Sequence, residues 1–395
     1  MGFDRQCVRD ADVEGRRAFV RVDFNVPLRD GEVADDTRIR AALPTITHLL
    51  DRGASVVLGS HLGRPGGEFD ESLSMRPVAV RLSQLLGREV KLSPEVVGAR
   101  AAALAEALKP GEVLLLENTR FEPGETKNDP ELGRALAGLA DVLVIDAFGT
   151  AHRAHASNVG IAGYLPAYAG DLLEKEVRNL SAVAEDPERP LVVVLGGAKV
   201  SDKIGVIDRF IEIADQVLIG GAMCFPFYRA LGIGTGDSLV EEDGIPLASQ
   251  AMEKAEGSSC ELCLPVDLML GREFSAETET LEAEGTEVPD GWMGLDIGPA
   301  SAADYARRIA GAGTVLWNGP MGAFELGPFE AGTRTVAEAV AGSPAFTVVG
   351  GGDSVAALVQ FGLTEAVDWA STGGGASLEL LEGRDLPGVE ALNEA

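Results

Sequence analysis

Short apolar runs alternate along this chain with longer stretches in which apolar residues recur every three or four positions. The stretches Thr37–Asp51, Ser83–Leu86 and Pro130–Leu139 have this helical period, and Gly53 and Gly87 close the first two. Apolar runs with the composition of buried strands lie between them. Strand, helix and strand joined by short Gly or Asp turns form βαβ units. The pattern predicts an α/β protein with doubly wound parallel sheets.

The same rhythm restarts after residue 190. The predicted strands of this second half are Leu191–Leu195, Gln216–Ile219, Glu261–Pro265, Thr314–Trp317 and Phe346–Val349. A long charged helix over residues 169–184, followed by the proline-flanked segment 186–190, separates the halves, and we predict that it connects two domains. The acidic stretch 273–290 has no periodicity and is interpreted as a solvated loop.

The predicted strands of the two halves end in different chemistry. In the first half the residues at or just after the strand ends are basic, and they are Arg21, His61, Arg64, Arg120, His152 and Arg153. In the second half the runs stop at glycines, which are Gly196, Gly197, Gly220, Gly221, Gly319 and Gly350–Gly352. Open α/β sheets bind ligands at the carboxyl ends of their strands. Arginine side chains and bare backbone both bind phosphate, so we predict a phosphorylated small molecule facing a nucleotide.

Length and charge narrow the classes of protein. A chain of 395 residues with 46% apolar residues exceeds one ordinary core and suits two domains. The 33 Lys and Arg against 62 Asp and Glu leave a net charge of −29, which disfavours nucleic acid and anionic membranes as partners. The chain has only seven lysines, and an acidic, lysine-poor surface suits a salt-rich cytoplasm. Adaptation to salt is therefore a hypothesis.

Cysteine usage and the first residues indicate a compartment. Cys7, Cys224, Cys260 and Cys263 are too few and too scattered for a disulfide framework. Cys260 and Cys263 could form a redox or metal pair, but no second pair accompanies them, and we favour buried or edge thiols. The first residues lack an apolar targeting segment, and no run reaches membrane-spanning length. We expect a soluble cytoplasmic protein.

One glycine-rich turn carries two of the seven lysines. Gly196–Lys203 follows a predicted strand and opens a predicted helix, Asp202–Ile213. Such a turn binds phosphate through backbone N–H groups and the helix N-terminus. Lys199 and Lys203 would share one helix face if both were helical. An ordinary turn with solvated lysines is the alternative, and the absence of a Gly-Lys dipeptide excludes a Walker P-loop.

Two further loops repeat this arrangement. Gly350–Ser354 places a carboxylate at a helix start, and Asp353 could be an N-cap or a Mg²⁺ ligand. Ser371–Ser377 precedes a predicted helix, Leu378–Glu382. Trp317, with Glu325 nearby, could form an apolar wall for a nucleoside, although core packing is the commoner role of a single Trp.

Asp23 and Asn25 alternate at the end of the first strand, so their side chains point the same way. They join a mostly cationic group, whose members are Arg21, Arg38, His61, Arg64, Arg120 and Arg153. His152 and His155 could be proposed as metal ligands, but with four histidines in the chain and no carboxylate partner identified we favour packing or substrate contact.

These segments together resemble the phosphoglycerate kinase family. The resemblance rests on Arg21–Pro27, Ser60–Pro65, Asp146–His155, Gly196–Lys203, Trp317–Pro320, Gly350–Asp353 and Ser371–Gly375, which occur in the family's order and span nearly the whole chain. One position departs from the pattern: Ala222 stands where a third glycine is expected, which concerns the adenine side of the site.

The resemblance implies two Rossmann-like domains joined by a hinge. It implies an N-terminal phosphoglycerate-binding domain (1–170), a nucleotide-binding domain (171–375, with the connecting helix at about 171–186) and a segment (376–395) that returns to the first domain. The implied activity is reversible transfer of a phosphoryl group from 1,3-bisphosphoglycerate to MgADP, in line and after domain closure. This gives 3-phosphoglycerate and MgATP in glycolysis or gluconeogenesis. Mg²⁺ is the implied cofactor, and a monomer is expected.

The resemblance also implies site residues. The phosphoglycerate-binding residues would be Asp23, Phe24, Asn25, Arg38, His61, Leu62, Gly63, Arg64, Arg120 and Arg153. The nucleotide-binding residues would be Lys203, Glu325, Gly351, Gly352, Asp353 and Ser354, with Asp353 on Mg²⁺. Arg38 and Lys199 would flank the transferring phosphoryl group, and Gly373 and Gly374 would belong to the catalytic group.

Two other classes were weighed. A non-catalytic, two-lobed phosphate-binding protein would not need the two lysines and Asp353 at helix starts. A nicotinamide dehydrogenase would carry a GxGxxG fingerprint after its first strand, which this chain lacks there. ATP-dependent turnover would separate a kinase from the first class, and a change in nicotinamide absorbance would reveal the second.

Overall fold

The computed structural model describes residues 3–395, which divide into two compact units. Unit N comprises residues 3–178 and Asp385–Ala395, and unit C comprises Asn179–Arg384. The boundaries expected from the sequence, at 170/171 and 375/376, lie somewhat earlier in the chain than these.

Unit N is built on a parallel sheet of six strands. Its strands are β1 (Arg17–Val22), β4 (Ser55–Gly59), β5 (Val90–Leu92), β6 (Val113–Leu115), β7 (Val142–Asp146) and β8 (Ala167–Ala169), in the spatial order β5-β6-β4-β1-β7-β8. A hairpin of β2 (Leu28–Arg29) and β3 (Glu32–Val33) lies outside it. Strands β6, β4, β1 and β7, after which the basic residues follow, are therefore neighbours.

Helices cover the faces of this sheet. They are α1 (Thr37–Asp51), α2 (Arg76–Leu86), α3 (Ala99–Glu106), α4 (Pro130–Ala137), the first part of α5 (Asp171–Glu185) and the short α13 (Pro387–Glu390). Both faces of β1 and β4 are buried because helices flank the sheet, so these strands appear in the sequence as unbroken apolar runs. Helix α1 contributes Ile39, Ile46 and Leu49 to the core.

Unit C repeats the architecture. Its parallel strands are β9 (Leu191–Leu195), β10 (Gln216–Ile219), β11 (Glu261–Cys263), β15 (Thr314–Asn318), β16 (Phe346–Gly350) and β17 (Trp369–Ala370), in the order β11-β10-β9-β15-β16-β17. The strands that end in glycine, β10, β9, β15 and β16, are again neighbours.

The remaining elements of unit C are helical or antiparallel. The helices are α6 (Ile204–Ile213), α7 (Cys224–Ala230), α8 (Ile245–Glu256), α9 (Pro299–Ala310), α10 (Ala331–Ala341), α11 (Gly352–Phe361) and α12 (Gly375–Leu381). A small antiparallel sheet consists of β12 (Leu268–Gly271), β13 (Thr280–Ala283) and β14 (Met293–Ile297).

Several predictions about unit C were wrong in detail. The acidic stretch 273–290 is not wholly a loop, because β13 pairs with β12 and its mainly exposed side chains gave no apolar alternation. Helix α6 begins at Ile204 rather than Asp202, since residues 201–203 form a turn. The predicted helix Leu378–Glu382 begins earlier, at Gly375. The strand predicted to reach Pro265 ends at Cys263.

The last residues of the chain pack on unit N. Gly388 N donates to Ala151 O at 2.8 Å, and Asn393 N donates to Ala167 O at 2.9 Å. The Gln6 amide donates in turn to Asn393 O at 2.9 Å, so the tail is hydrogen-bonded to the start of the chain as well. Within residues 3–395, no helix has both the length and the apolar composition to cross a membrane.

Candidate active site

A cluster of polar side chains follows β1 at the carboxyl edge of the unit N sheet. Arg38, in the first turn of α1, donates from NH1 to Asp23 Oδ2 at 3.0 Å and to the carbonyl of Asn25 at 3.2 Å. Asp23 is largely buried, whereas 38% of the Arg38 side chain remains exposed. Asp23 and Asn25 therefore lie together with Arg38, but β1 ends at Val22, so strand alternation does not set the direction of their side chains.

The loop after β4 is fixed to the loop after β1. Gly63 N donates to Asn25 Oδ1 at 2.9 Å, and Phe24 N donates to Ser60 Oγ at 2.8 Å. The backbone of Leu62 is fixed by Asn118, whose Oδ1 accepts from Leu62 N at 3.1 Å. Phe24 and Leu62 are buried, so they support the loops, and only their backbone groups lie near the crevice.

Three arginines line one cavity. Arg64, Arg120 and Arg153 surround a space of about 350 Å³ together with Lys127 and residues of the Gly66–Gly67 turn. Arg120 is buried and donates from NH1 to Gly63 O at 2.7 Å. Its Nε has no hydrogen-bond partner within the described chain. Burial and the neighbouring cations lower the Arg120 pKa. A cationic cavity with an unsatisfied donor suits a phosphate or carboxylate.

Arg21 does not belong to this cavity, which corrects the sequence-based grouping. Its side chain is fully buried beneath the crevice, where Nε donates to Ser157 Oγ at 2.6 Å and NH2 lies 3.9 Å from Glu125 Oε1. Arg21 lies within β1, which ends at Val22, whereas Asp23 and Asn25 follow the strand in the loop at its carboxyl end. Arg21 therefore lies deeper than the loop residues, and its place inside the apolar run could have indicated this.

His61 and His155 are buried close to this pair. His61 Nδ1 lies 3.4 Å from Arg21 NH2, and His155 Nδ1 lies 3.8 Å from Glu125 Oε1. Burial, together with Arg21 and Arg120, lowers the pKa of His61 well below its usual value and that of His155 to about 4. Both rings are therefore neutral near pH 7. In residues 3–395, no group of three or more His, Cys, Asp or Glu side chains is arranged to hold a metal ion.

The unit C crevice is built from backbone. Gly319 has φ of +99°, and a Cβ there would lie 2.2 Å from Gly196 O. Gly221 has φ of +66°, and a Cβ there would lie 2.6 Å from Gly197 N. Only glycine permits three strand-end loops to approach this closely. The result is a surface of bare peptide groups at the carboxyl edge of the sheet.

The two lysines of the Gly196–Lys203 turn point in different directions. Lys203 lies in the turn before α6, and its Nζ donates to Gly196 O at 2.6 Å and Asn318 O at 2.8 Å. Burial lowers its pKa to about 8, although Asp353 and Asp202 act in the opposite sense. Lys199 is exposed. Neither lysine is helical, so the condition under which they would share a helix face is not met.

Glu241 holds the turn between these lysines. Its Oε2 accepts from Ser201 N at 3.1 Å, and its other oxygen accepts from Ser201 Oγ. The segment before Glu241 lines the large unit C cavity through Leu239 and Val240. Sequence reasoning missed Glu241, because nothing in an acidic run 40 residues downstream of Ser201 marks the contact.

Asp353 is exposed in the first turn of α11 and lines the large cavity, whereas Gly351 is the N-cap residue. This excludes the N-cap interpretation of Asp353. Ser354 is buried, and its Oγ accepts from Gly319 N at 2.5 Å. Gly352 is exposed beside Asp353 at the start of the helix.

Gly373 and Gly374 precede α12. Gly373 N donates to Ser371 Oγ at 3.2 Å, and Gly374 is the N-cap residue, with φ of +53°. Ser371 Oγ also lies 2.7 Å from Ser377 Oγ, so the loop is hydrogen-bonded to the helix that it begins.

A mostly apolar cavity of about 990 Å³ extends from these glycines. Ala222, Phe324 and Met321 line it, and the exposed Glu325 lies at it. Trp317 is fully buried and does not line it, so core packing is its role, and its Nε1 donates to Gly319 O at 2.8 Å. Glycine-rich backbone on one side and apolar side chains on the other suit a phosphorylated nucleoside.

All four cysteines are buried free thiols. Burial raises the pKa of Cys7, Cys224 and Cys263 to about 12 and that of Cys260 to about 11. Such thiols are unreactive at neutral pH. The prediction of buried or edge thiols is therefore confirmed.

Comparisons with known proteins agree on one family. The model of the family "Phosphoglycerate kinase" matches residues 8–384. The phosphoglycerate kinase of Chloroflexus aggregans is 54% identical over 399 residues, covering 100% of both chains, and that of Moorella thermoacetica is 55% identical over 387 residues, covering 98% of each. The structure of phosphoglycerate kinase from Coxiella burnetii superposes with a TM-score of 0.89 at 40% identity, covering 98% of each chain. That from Pyrococcus horikoshii superposes with a TM-score of 0.86 at 35% identity, again over 98% of each chain.

Proposed function

The chain belongs to the phosphoglycerate kinase family, and on that premise we propose that its two crevices bind the two reactants of one phosphoryl transfer. The protein is a phosphotransferase that acts on a carboxyl acceptor in glycolysis. The reaction moves a phosphoryl group reversibly between 1,3-bisphosphoglycerate and ADP. The family uses a magnesium-bound nucleotide.

The phosphoglycerate binds, in this proposal, at the carboxyl edge of the unit N sheet. The observation that carries the assignment is the meeting of Arg64, Arg120 and Arg153 around one cavity. Their guanidinium groups hold the phosphate at the far end of the substrate. Asp23 and Asn25 orient the glycerate hydroxyl and carboxyl groups from the loop after β1, and neutral His61 adds a hydrogen bond.

The nucleotide binds at the glycine-rich edge of the unit C sheet. Backbone N–H groups of Gly351, Gly352 and the start of α11 face the phosphates, where the helix dipole favours negative charge. Lys203 supplies a fixed cation, since two carbonyl oxygens hold its Nζ. Glu325 lies at the cavity that we assign to the nucleoside, near the ribose.

Asp353 is the proposed magnesium ligand. The fit rests on the donor set, because an exposed carboxylate at a cavity lined by peptide groups leaves room for phosphate oxygens and water, which Mg²⁺ prefers alongside one or two carboxylates. When bound, Mg²⁺ neutralises charge on the nucleotide phosphates.

Arg38 and Lys199 are assigned to the transferring phosphoryl group. Both are exposed cations, one at the phosphoglycerate crevice and one on the phosphate-binding turn. Gly373 and Gly374 add backbone N–H groups ahead of α12. An acyl phosphate is already a reactive donor, so these groups need only align the reactants in line and neutralise the equatorial oxygens. In-line transfer after domain closure, which would exclude water, remains part of the proposal.

The experiment follows ATP- and Mg²⁺-dependent phosphorylation of 3-phosphoglycerate, coupled to NADH oxidation by an enzyme that reduces 1,3-bisphosphoglycerate. We expect saturable turnover that disappears when ATP, Mg²⁺ or 3-phosphoglycerate is omitted. Saturable binding of both ligands to a folded protein without turnover would instead support a non-catalytic phosphate-binding protein.

Adaptation to salt is a further part of the proposal. A net charge of −29 with only seven lysines implies strong self-repulsion in dilute buffer, and salt screens that repulsion. We expect the melting temperature and kcat to rise between about 0.1 M and about 2 M KCl, once the coupling enzyme is shown to tolerate the salt. Full stability and activity in dilute buffer would contradict this part and leave the kinase assignment intact.

We also propose a monomer in the cytoplasm. The four free thiols support the location, since a reducing compartment maintains them, and the monomer is an expectation from the family resemblance. Light scattering during size-exclusion chromatography gives the mass, expected near 41.2 kDa. Fractionation of cells that make the protein tests its location.

A further inference from the structure

Two charged side chains lie beneath the arginine crevice without reaching it. Arg21 at the end of β1 and Glu125 in the turn after Arg120 are both fully buried, and their closest charged atoms are 3.9 Å apart. An isolated buried charge is costly, so each requires the other and a set of hydrogen bonds. None of the substrate-binding assignments uses either residue.

Glu125 connects two of the segments that carry cavity arginines. Its carboxylate accepts from Ser157 Oγ at 2.5 Å and Ser157 N at 3.1 Å, and from Thr119 Oγ1 at 3.2 Å. Thr119 directly precedes Arg120, and Ser157 lies in the turn that follows Arg153. One carboxylate therefore fixes the backbone on both sides of the cavity.

Arg21 extends the network to the third segment. Its Nε donates to Ser157 Oγ at 2.6 Å, and its NH2 lies 3.4 Å from Nδ1 of His61, at the start of the loop that carries Arg64. Arg21 NH1 also donates to the carbonyl of Val22. The strand end, the His61 loop and the Ser157 turn thus meet at one guanidinium.

We propose that Arg21 and Glu125 form a buried positioning pair that fixes Arg120, Arg153 and the His61 ring at the phosphoglycerate crevice. The pair touches no substrate and acts through the residues that it holds. This inference rests on the proposed function, because it assigns a role to the support of that same crevice.

The pair also sets the charge state of the two histidines. The groups that face His61 are Arg21, Arg38, Arg120, Asp23 and His155. Those that face His155 are Glu125, Arg21, Arg120, Arg153 and His152. Burial lowers the pKa of both rings most, and the cations that predominate in both sets lower it further, so the rings stay neutral. The charge of the crevice therefore comes from its arginines and stays constant around neutral pH.

The test compares wild type with Arg21→Met between about pH 6 and about pH 8.5. Without the Arg21 guanidinium, fewer cations oppose Glu125 at 3.8 Å from His155, so the His155 pKa rises from its lowered value. We expect KM for 3-phosphoglycerate to be about tenfold above wild type at the alkaline end and to approach it at the acid end, where imidazolium replaces the lost cation. The substrate titrates identically in both assays, so its titration cancels in the ratio of the variant KM to the wild-type KM. KM for ATP should not change.

Arg21→Met/Glu125→Gln removes both charges. In this variant we expect the ratio of KM values for 3-phosphoglycerate to remain raised but to lose its pH dependence. A merely structural role of the pair would not produce this difference between the two variants. A wild-type pH profile in Arg21→Met, or an equal rise in KM for ATP, would overturn the proposal.

A milder variant serves if Arg21→Met does not fold. Ser157→Ala removes the hydroxyl that contacts both members of the pair, and we expect KM for 3-phosphoglycerate to rise about three- to tenfold, a loss of the size of one hydrogen bond to a charged group. Its matched control is Ser93→Ala, which removes another fully buried hydroxyl, bonded to Glu95 O at 2.6 Å. Equal KM values in the two variants would refute the proposal. Inactive wild type would instead refute the proposed function.

Discussion

The two crevices of this chain offer different parts of the polypeptide for the phosphate binding that we propose. In unit N, arginine side chains line the cavity, and a buried ion pair with hydroxyl partners supports them. In unit C, close-packed glycine loops leave a surface without side chains beside the start of α11, and a lysine held by two carbonyls is the main fixed cation. When side chains bind phosphate, buried polar contacts must hold those side chains in place. When the backbone binds phosphate, it is enough that no side chain blocks the approach.

The difference has a consequence for mutation. An arginine can be truncated without disturbing the sheet that carries it, because its backbone makes ordinary contacts. A glycine at a point of close approach cannot be enlarged without moving a neighbouring loop. Truncation of an exposed arginine should therefore affect ligand binding or turnover with little loss of stability, and changes on the glycine side should affect affinity and stability together.

The largest expected effect is at Arg38. Arg38→Ala should lower kcat by about 10²–10³-fold, because it removes charge stabilisation that acts on the transferring group. Stability should change little, since the side chain is 38% exposed. The coupled assay and thermal unfolding measure the two quantities. Arg40→Ala, two positions along the same helix with a 55% exposed side chain, is the control and should keep wild-type turnover. Unchanged turnover in Arg38→Ala would overturn the role of Arg38.

Gly319→Ala tests the backbone side. With φ of +99° and a Cβ 2.2 Å from Gly196 O, the variant should lose about 1–3 kcal/mol of unfolding free energy. Its affinity for MgADP should also fall about tenfold or more. Calorimetric titration should show unchanged affinity for 3-phosphoglycerate. Gly327→Ala, where a Cβ meets nothing within 4 Å, is the matched control. Normal MgADP binding by a folded Gly319→Ala protein would argue against backbone recognition.

A pH profile separates the crevices further. Burial lowers the Lys203 pKa to about 8, so this cation is lost as the pH rises through that value. We expect kcat/KM for ATP to fall about three- to tenfold between about pH 7 and about pH 9, whereas arginines keep KM for 3-phosphoglycerate constant. Lys203→Arg should remove the fall. If kcat/KM fell equally for ATP and for 3-phosphoglycerate, a group other than Lys203 would be titrating.

The smallest expected effect comes from protonation of Asp146, and it concerns stability alone. Burial raises the pKa of Asp146 in unit N to about 7, while its Oδ1 accepts from Leu172 N and Leu173 N at 2.9 and 3.2 Å. The folded state therefore binds a proton more tightly than the unfolded state. The stabilisation is fully present below about pH 4 and is lost as the pH rises through about 7.

Asp146→Asn keeps an accepting oxygen and should flatten this part of the profile. The urea midpoint between about pH 5 and about pH 8, followed by far-UV circular dichroism, measures the change. All three tryptophans, Trp292, Trp317 and Trp369, lie in unit C, so their fluorescence provides an internal control that should not respond. Equal slopes in wild type and variant would exclude Asp146 as the titrating group.

Much of the fold could be predicted from the sequence because parallel strands buried on both faces appear as unbroken apolar runs. Helix Thr37–Asp51 and strands Leu191–Leu195 and Gln216–Ile219 have the predicted bounds. Strand Thr280–Ala283 could not be predicted, because its pairing with Leu268–Gly271 leaves most of its side chains in solvent. The start of α6 was misplaced because a turn before a helix has no distinct composition.

The candidate site was predictable where chemistry coincides with strand ends. Arg120 and Arg153 could be grouped because the carboxyl ends of all strands in a parallel sheet lie at one edge, although β4 and β1 separate the two strands that they follow. Arg21 was misassigned because it lies inside the buried strand, whereas the crevice residues Asp23 and Asn25 lie in the loop after the strand. Glu125 and Glu241 were not predicted as supporting residues of the site, because their partners are distant in sequence and a glutamate is usually a surface residue.

Separate titrations of the two ligands into Arg64→Ala test the central claim most directly. Arg64 is exposed and lines the unit N cavity, so the variant should fold as wild type does. The account predicts that Kd for 3-phosphoglycerate rises about tenfold or more while Kd for MgADP stays at its wild-type value. Unchanged 3-phosphoglycerate affinity, or an equal loss for MgADP, would contradict the division of phosphate binding between arginine side chains and glycine backbone.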